Sequence, residues 1–197
     1  MNLEDIRGII VPLITPVDEK ERIDEAKLRF MVNRVVDGGV NGILVFGSNG
    51  EFYMFDEKEH ERGLKAVIDE NGGRVPVYYG IGSIGTAQGV REAKMAASAG
   101  ADGISVLQTM FIKPTEQGLY RHFRTIAEAV PDTYVLLYNN PGRCGYSLTA
   151  DLVEKLARDV KNIVGIKDSS GNFTLVSELI NQKPLVTEDM MHAGLVV

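Results

Sequence analysis

The 197-residue chain is poor in cysteine, has no tryptophan and contains no long apolar run. Its single cysteine, Cys144, excludes an intrachain disulfide framework and is typical of a protein from a reducing compartment. No apolar stretch approaches the roughly 20 residues that a membrane-spanning helix needs. The N-terminal sequence MNLEDIRGII also lacks the basic flank and apolar core of a signal peptide. These absences predict a cytoplasmic protein with no membrane partner.

Positive charge is scarce as well. The sequence has 21 Lys and Arg residues against 27 Asp and Glu residues, a formal net charge of -6 at pH 7, and no block of basic residues. This distribution argues against nucleic acid as a partner, because that contact requires a basic patch. With 44% hydrophobic residues, the chain is still long enough to bury one substantial core.

Short apolar runs and amphipathic segments alternate along the chain, with a period of about 30 residues. The apolar runs are too continuous for half-exposed strands and indicate strands covered on both faces. They occupy residues 8–14, 42–47, 75–82, 103–108, 134–139 and 163–167. The segments between them, such as 24–39 and 56–73, begin with acidic residues and end in paired glycines, which is the polarity of a capped helix.

Repetition of a strand and a helix predicts an α/β fold with a parallel sheet. The sheet could close into a (β/α)₈ TIM barrel or remain open and doubly wound. No G-x-G-x-x-G follows the first strand, so the barrel is favoured. A complete barrel typically takes about 250 residues. Six βα units are readable, and residues 184–197 give a poor seventh, so we expect a single barrel domain over 1–197 that is incomplete at its C-terminus and lacks the eighth strand.

Reactive side chains in a parallel βα architecture lie where strands end and βα loops begin. At these positions the sequence places Ser48, Asn49, Glu51, Tyr138, Asn139, Arg143 and Lys167. No metal site is predicted, because His60, His122 and His192 stand apart without ligand spacing and are expected to pack on helices or lie at the surface. A serine triad is disfavoured by the absence of a G-x-S-x-G elbow.

Lys167 ends the apolar run of NIVGIKDSSG, where it could simply mark the exit of the strand into solvent. The alternative is chemical, since a lysine amine in a partly desolvated pocket can lose its proton near neutral pH and attack a ketone to form a Schiff base. Such a reaction needs a proton shuttle, which a tyrosine hydroxyl such as that of Tyr138 supplies. Backbone N–H groups of the turn at 47–50 and the Ser48 hydroxyl could anchor a carboxylate, and Arg143 could bind a second one.

Each of these residues also has a purely structural interpretation. Tyr138 could pack under a helix, and Gly47 and Gly50 could only shape a turn. Glu51 is expected to cap the following helix rather than to take part in catalysis. Arg143 could be a solvated charge on an exposed loop.

Three segments resemble the signatures of the dihydrodipicolinate synthase and N-acetylneuraminate lyase family: GSNGE at 47–51, YNNPGR at 138–143 and GIKDSSG at 165–171. The resemblance implies a (β/α)₈ barrel that binds pyruvate, or another 2-oxo acid, through a lysine Schiff base without metal or organic cofactor. Members are commonly homotetramers. By the same resemblance Lys167 is the Schiff-base lysine and Tyr138 the proton-relay tyrosine. Gly47, Ser48 and Asn49 lie where the family holds the pyruvate carboxylate.

The resemblance indicates the second substrate less precisely than it indicates pyruvate. Arg143 matches the arginine by which the synthase branch binds the carboxylate of aspartate semialdehyde. Asn49 stands where the synthases carry a threonine, and Phe111 where they carry a tyrosine that reaches across a subunit interface. The resemblance thus favours condensation of pyruvate with an aldehyde, as in the dihydrodipicolinate synthases. A 2-keto-3-deoxy sugar acid aldolase, an N-acetylneuraminate lyase and a non-catalytic truncated barrel are the alternatives.

Overall fold

Strands and helices alternate along the chain in the computed structural model, which describes residues 6–181. The six strands are β1 (Ile10–Pro12), β2 (Gly42–Val45), β3 (Val77–Ile81), β4 (Gly103–Leu107), β5 (Tyr134–Asn139) and β6 (Ile163–Asp168). The helices are α1 (Glu25–Asp37), α2 (Glu57–Asn71), α3 (Thr86–Ala99), α4 (Glu116–Glu128), α5 (Pro141–Cys144), α6 (Ala150–Asp159) and α7 (Phe173–Asn181). Two 3₁₀ turns, Ser48–Gly50 and Phe52–Met54, lie between β2 and α2.

The six strands form one parallel sheet in the order of the sequence, from β1 to β6. The sheet is curled, because Leu44 of β2, Tyr78 of β3 and Leu136 of β5 pack together on its inner face. In a flat sheet with strands about 4.8 Å apart, β2 and β5 would be too distant for that contact. The predicted α/β barrel architecture is therefore confirmed for six βα units. The predicted seventh unit, residues 184–197, lies outside the described residues.

The larger core lies between the outer face of the sheet and the helices. Alternate strand residues such as Ile43, Tyr79 and Ile104 point outward and are fully buried against helix residues such as Leu64 and Ile126. The other residues of each strand point to the inner face, where side chains from different strands fill the barrel. Both faces are covered, which explains the continuous apolar runs in the sequence.

The helix ends follow the local sequence signals. Asp24, Asp56, Thr115 and Thr149 each accept hydrogen bonds from backbone N–H groups in the first turn of α1, α2, α4 and α6. Gly72 ends α2 in the left-handed conformation. The expectation that Glu51 caps the next helix is wrong, because Asp56 caps α2. Glu51 instead lies between the two 3₁₀ turns.

No helix within residues 6–181 is long and apolar enough to cross a membrane.

Candidate active site

Lys167 of β6 lies directly opposite Tyr138 of β5 in the parallel register. Its Nζ atom is 4.1 Å from the centroid of the Tyr138 ring, in the position of a cation over an aromatic face. Lys167 is half-buried and Tyr138 is buried. Both side chains belong to the inner face of the sheet and to the carboxyl ends of their strands. The structure thus places Lys167 against Tyr138 rather than in open solvent, and Tyr138 on the side away from the helices.

The phenol oxygen of Tyr138 is surrounded by groups that favour its deprotonated form. Burial raises the pKa of Tyr138, but the combined effect of the Ser169 and Ser48 hydroxyls, the Lys167 charge and the Asn140 amide outweighs it. The pKa of Tyr138 is therefore lower than that of an ordinary tyrosine. The Asn140 amide donates to the phenol oxygen at 2.8 Å, and Ser169 Oγ lies 3.5 Å away. A phenol with a lowered pKa can donate a proton to a reacting group in the adjacent pocket and take one back.

The turn after β2 carries Ser48 and Asn49 to the same rim. Ser48 is half-buried and Asn49 is exposed, while Gly47 and Gly50 are buried. The hydroxyl of Thr15, three residues after the end of β1, donates to Gly50 O at 2.7 Å and fixes the turn from one side. The Gly50 N–H donates to Gly47 O at 3.0 Å. The first N–H groups of a helical turn have no acceptor within it, so those of Ser48 and Asn49 are available to an anion.

Two residues of this loop adopt a backbone conformation that costs free energy. Phe46 has φ +54° and Glu51 has φ +52°, although neither is a glycine. Such residues persist only where the surroundings fix them. The ring of His60 holds the end of this loop in place, because its Nε2 lies 2.9 Å from Phe52 O, within hydrogen-bond distance.

The position of His60 is set by the neighbouring strand. A carbonyl can only accept, so His60 Nε2 carries the proton and Nδ1 accepts the Tyr79 hydroxyl at 2.7 Å. Desolvation lowers the pKa of His60, which keeps the ring neutral. His60 on α2 and His122 on α4 are both buried. Both therefore pack in the interior, which is one of the two placements expected from the sequence. His192 lies outside the described residues.

Arg143 reaches the rim on α5, the short helix that follows β5. Its side chain is exposed, and no ion pair of Arg143 occurs within the described part of the chain. The segment is held by Gln108 of the β4 end, whose Oε1 accepts the Asn140 N–H at 2.8 Å and whose amide nitrogen donates to Tyr146 O. The structure brings Arg143 to the mouth of the half-barrel but not into contact with Lys167.

Asp168 and Asn139 join the ends of β5 and β6. Asn139 is fully buried, and its amide donates to Asp168 Oδ2 at 2.6 Å. The other oxygen of Asp168 accepts the backbone N–H of Ser170 at 2.9 Å and its hydroxyl at 2.6 Å. With its oxygens engaged in this way, Asp168 fixes the strand that carries Lys167 instead of pairing with the lysine.

A cavity of about 10 Å³, the space of one water molecule, lies beneath the turn. Ser48, Ser105 and Tyr138 contribute to its wall. The hydroxyls of Ser48 and Ser105 are buried, and within residues 6–181 neither has a partner at ordinary hydrogen-bond geometry, although the Ser48 hydroxyl is close enough to the Tyr138 phenol to lower its pKa. Buried hydroxyls nearly always have partners, so this cavity is a place for a polar atom.

Three groups in this site were not singled out from the sequence as functional: Asn140, Ser169 and Thr15. Asn140 and Ser169 flank predicted residues in the YNNPGR and GIKDSSG segments, and this adjacency is the only sequence signal they carry. No three His, Cys, Asp or Glu side chains within the described residues converge as a metal site would require. The arrangement can bind a small oxo acid beside an amine and a phenol.

Comparison with known proteins agrees with the resemblance seen in the sequence. The family model described as the Dihydrodipicolinate synthetase family matches residues 5–191. The chain is 42% identical over 173 residues to a 4-hydroxy-tetrahydrodipicolinate synthase of Thermus thermophilus, covering 88% of this chain and 58% of that one.

Two solved structures with bound pyruvate also superpose on the half-barrel. The dihydrodipicolinate synthase from Acinetobacter baumannii, complexed with pyruvate, gives a TM-score of 0.86 at 33% identity over 96% of this chain and 62% of that chain. YagE, a prophage protein from E. coli K12, in complex with pyruvate, gives 0.86 at 32% identity over 89% and 58%. The chain therefore spans about three fifths of the length of these relatives. With a match over residues 5–191 and more than 30% identity to these proteins, the chain belongs to the dihydrodipicolinate synthetase family.

Proposed function

We propose that the chain carries the Schiff-base site of a pyruvate-dependent lyase or synthase, which joins pyruvate to an aldehyde in the manner of 4-hydroxy-tetrahydrodipicolinate synthase. The observation that carries the proposal is the pair formed by Lys167 and Tyr138, with the amine nitrogen 4.1 Å from the ring centroid on the inner face. Residues 1–197 belong to one barrel domain in this proposal, because the described strands follow one another in a single sheet.

Lys167 acts as the nucleophile. Its neutral amine attacks the C2 carbonyl of pyruvate, and the resulting carbinolamine loses water to leave a protonated imine. The imine withdraws electrons from C3, which gives up a proton and becomes an enamine. The enamine carbon then attacks the aldehyde carbonyl, and hydrolysis of the new imine releases the product and restores Lys167. The protonated imine formed on Lys167 is the electron sink, so the sequence of steps needs no metal or organic cofactor.

Tyr138 moves the protons. The departing hydroxyl of the carbinolamine needs a proton to leave as water, and C3 must lose one to form the enamine. Tyr138 is beside the amine, and its lowered pKa makes the phenolate accessible between these steps. Gly47, Ser48 and Asn49 bind the pyruvate carboxylate through the free N–H groups of the turn and the Ser48 hydroxyl. Arg143 binds a carboxylate on the aldehyde substrate from its exposed position on the rim.

The pyruvate complexes of the Acinetobacter baumannii enzyme and of YagE support pyruvate as the first substrate. A cytoplasmic homotetramer is proposed for the assembly. Phe111 and Ile112 support it, because these apolar side chains are 88% and 81% exposed in the loop after β4. Exposed apolar residues that adjoin in this way are typical of a protein interface.

Trapping of the imine tests the function directly. The full 197-residue chain is incubated with pyruvate and borohydride, digested and analysed by mass spectrometry. We expect one reduced pyruvate unit on Lys167 and none in Lys167→Ala. Lys161→Ala is the matched control, since this exposed lysine lies at the opposite end of β6 and should leave the adduct unchanged.

A failure to label Lys167 in the unmodified chain contradicts the proposal and favours a non-catalytic barrel. If the adduct forms, product assays separate the branches of the family. Aspartate semialdehyde as acceptor identifies the synthase, whereas cleavage of 2-keto-3-deoxygluconate or of N-acetylneuraminate identifies the alternatives.

A further inference from the structure

Asn140, the second residue after Tyr138, is not one of the residues predicted from the sequence as functional. Its side-chain amide donates to the Tyr138 phenol oxygen at 2.8 Å, a shorter contact than the 3.5 Å between that oxygen and Ser169 Oγ. Asn140 directly follows β5 and precedes α5, so the chain turns at this residue. The contact therefore joins the rim loop to the phenol.

The backbone of Asn140 is held on both sides. Its N–H donates to Gln108 Oε1 at 2.8 Å, and its carbonyl accepts the N–H groups of Arg143 at 3.1 Å and Cys144 at 3.0 Å. Gln108 is only 1% exposed, and its amide nitrogen donates to Tyr146 O. Both polar atoms of the Gln108 side chain bond to the backbone of this loop. They therefore fix the backbone of Asn140, and with it the position from which the Asn140 side chain reaches the phenol.

The amide contact restricts where the phenol proton can point. A tyrosine oxygen has one proton to donate and two positions at which it accepts. The Asn140 N–H occupies one accepting position, so the phenol proton must be directed elsewhere. On the cavity side lies the Ser48 hydroxyl, which is buried and has no partner at ordinary hydrogen-bond geometry within the described residues.

We propose that Asn140 is a positioning residue for the proton transfers of Tyr138, which directs the phenol proton toward the Ser48 side of the pocket and stabilises the phenolate that remains. This inference rests on the proposed function. When the carbinolamine hydroxyl departs, the O–H bond of Tyr138 breaks and its proton leaves with that hydroxyl as water. The Asn140 N–H then bonds to the phenolate until the proton from pyruvate C3 restores the phenol. No electrons are exchanged with another group.

Direct titration of the phenol tests the stabilisation without any substrate. The ultraviolet absorbance of tyrosinate is followed with pH, and the curve of Tyr138→Phe is subtracted to isolate Tyr138 from the other tyrosines. A hydrogen bond to a charged group is worth about one pH unit or more, so Asn140→Leu should raise the midpoint of Tyr138 by at least about one unit. Ser169→Ala is the matched control. Its hydroxyl also lowers the pKa of Tyr138, but at 3.5 Å it lies beyond the usual length of an O–H···O hydrogen bond, so its removal should raise the midpoint less. An unchanged midpoint in Asn140→Leu overturns the proposal.

The effect of the Asn140 side chain on the phenolate is tested further by Asn140→Asp. A carboxylate has the same shape but cannot donate and repels the phenolate, so the midpoint should rise further than in the leucine variant. An unchanged midpoint in the aspartate variant would mean that the side chain does not act on the phenolate, and a lower midpoint in Asn140→Leu would mean that the side chain accepts from the phenol; either result would overturn the assignment. If Asn140→Leu fails to fold by circular dichroism, Asn140→Ala replaces it in every measurement.

Turnover connects the contact to the reaction. We expect Asn140→Leu to lower kcat about tenfold with little change in KM for pyruvate, and to have no further effect once Tyr138 is replaced by phenylalanine. An equal loss in the Tyr138→Phe background overturns the positioning role. Borohydride labelling of Lys167 is read separately: a chain that never forms the adduct refutes the proposed function, whereas the phenol titration still reports on Asn140.

Discussion

Gly80 of β3 offers a test of how closely the carboxylate-binding turn is positioned. A Cβ atom built on Gly80 would lie 2.5 Å from Phe46 O, 2.8 Å from Phe46 C and 2.9 Å from Gly47 N. All three atoms are backbone and cannot rotate away, unlike the end of a flexible side chain. Gly80→Ala must therefore push the segment 46–47 outward, and with it Ser48.

The distances set the size of the effect. The contact with Phe46 O is about 0.9 Å shorter than ordinary van der Waals contact, so the backbone must move by a large part of that distance. Overpacking of this kind typically lowers the free energy of unfolding by about 1–3 kcal/mol. A displacement near 1 Å in a binding group can reduce a rate by about 100-fold. We expect Gly80→Ala to remain folded but to need far more pyruvate for labelling of Lys167.

Urea denaturation measures the stability, and borohydride labelling at increasing pyruvate concentration measures the binding. Gly85→Ala is the matched control, since its φ is -90° and a Cβ there meets nothing within 4 Å. A Gly80→Ala chain that labels at the same pyruvate concentration as the unmodified protein would refute the view that the backbone of 46–47 determines carboxylate binding. Equal losses in the two alanine variants would refute the role of the close contact.

Two further predictions concern buried polar groups on the helices α2 and α3. His60→Leu leaves the Phe52 carbonyl and the Tyr79 hydroxyl without their partners and should lower the free energy of unfolding by about 2–4 kcal/mol in urea, whereas Tyr79→Phe, which removes one of the two bonds, should cost less. Burial raises the pKa of Glu92 from its usual 4.5 to about 7. The native state then binds more protons than the unfolded chain between these values, so stability falls as pH rises from 4.5 to about 7. Glu92→Gln should flatten this profile and gain up to about 3 kcal/mol above pH 7; a slope that persists contradicts the assignment.

The strands, most helices and the neighbourhood of Lys167 and Tyr138 could be predicted because they depend on patterns that are local in the sequence. Buried parallel strands give continuous apolar runs, and acidic residues with terminal glycines mark helices. Parallel strands end at one edge, so polar residues that follow successive runs must share a rim. The start of the helix α3 at Thr86 is harder to predict, because its first turn, TAQGV, carries no acidic start signal.

Contacts between distant segments could not be predicted in this way. Nothing in the sequence indicates that Thr15 bonds to Gly50, or that the Tyr79 hydroxyl fixes the ring of His60. Those bonds depend on which helix packs on which strand and on side-chain direction. Asn140 is a similar case: it looks like an ordinary turn residue, and only the fold of the loop against Gln108 brings its amide to the phenol.

An irregularity in the sheet decides that Lys167 and Tyr138 face each other. Val135 pairs with Ile163, but Leu136 pairs with Gly165, so Val164 is an extra residue in β6. Side chains alternate between the two faces of a strand, and a shift by one residue exchanges the faces. If β6 continued in regular register, with Val164 opposite Leu136, Tyr138 would lie opposite Ile166, and Lys167 would share the outward direction of the fully buried Asn139. The amine would then meet the helices rather than the pocket, which is the kind of re-aiming that bulges perform beside active sites.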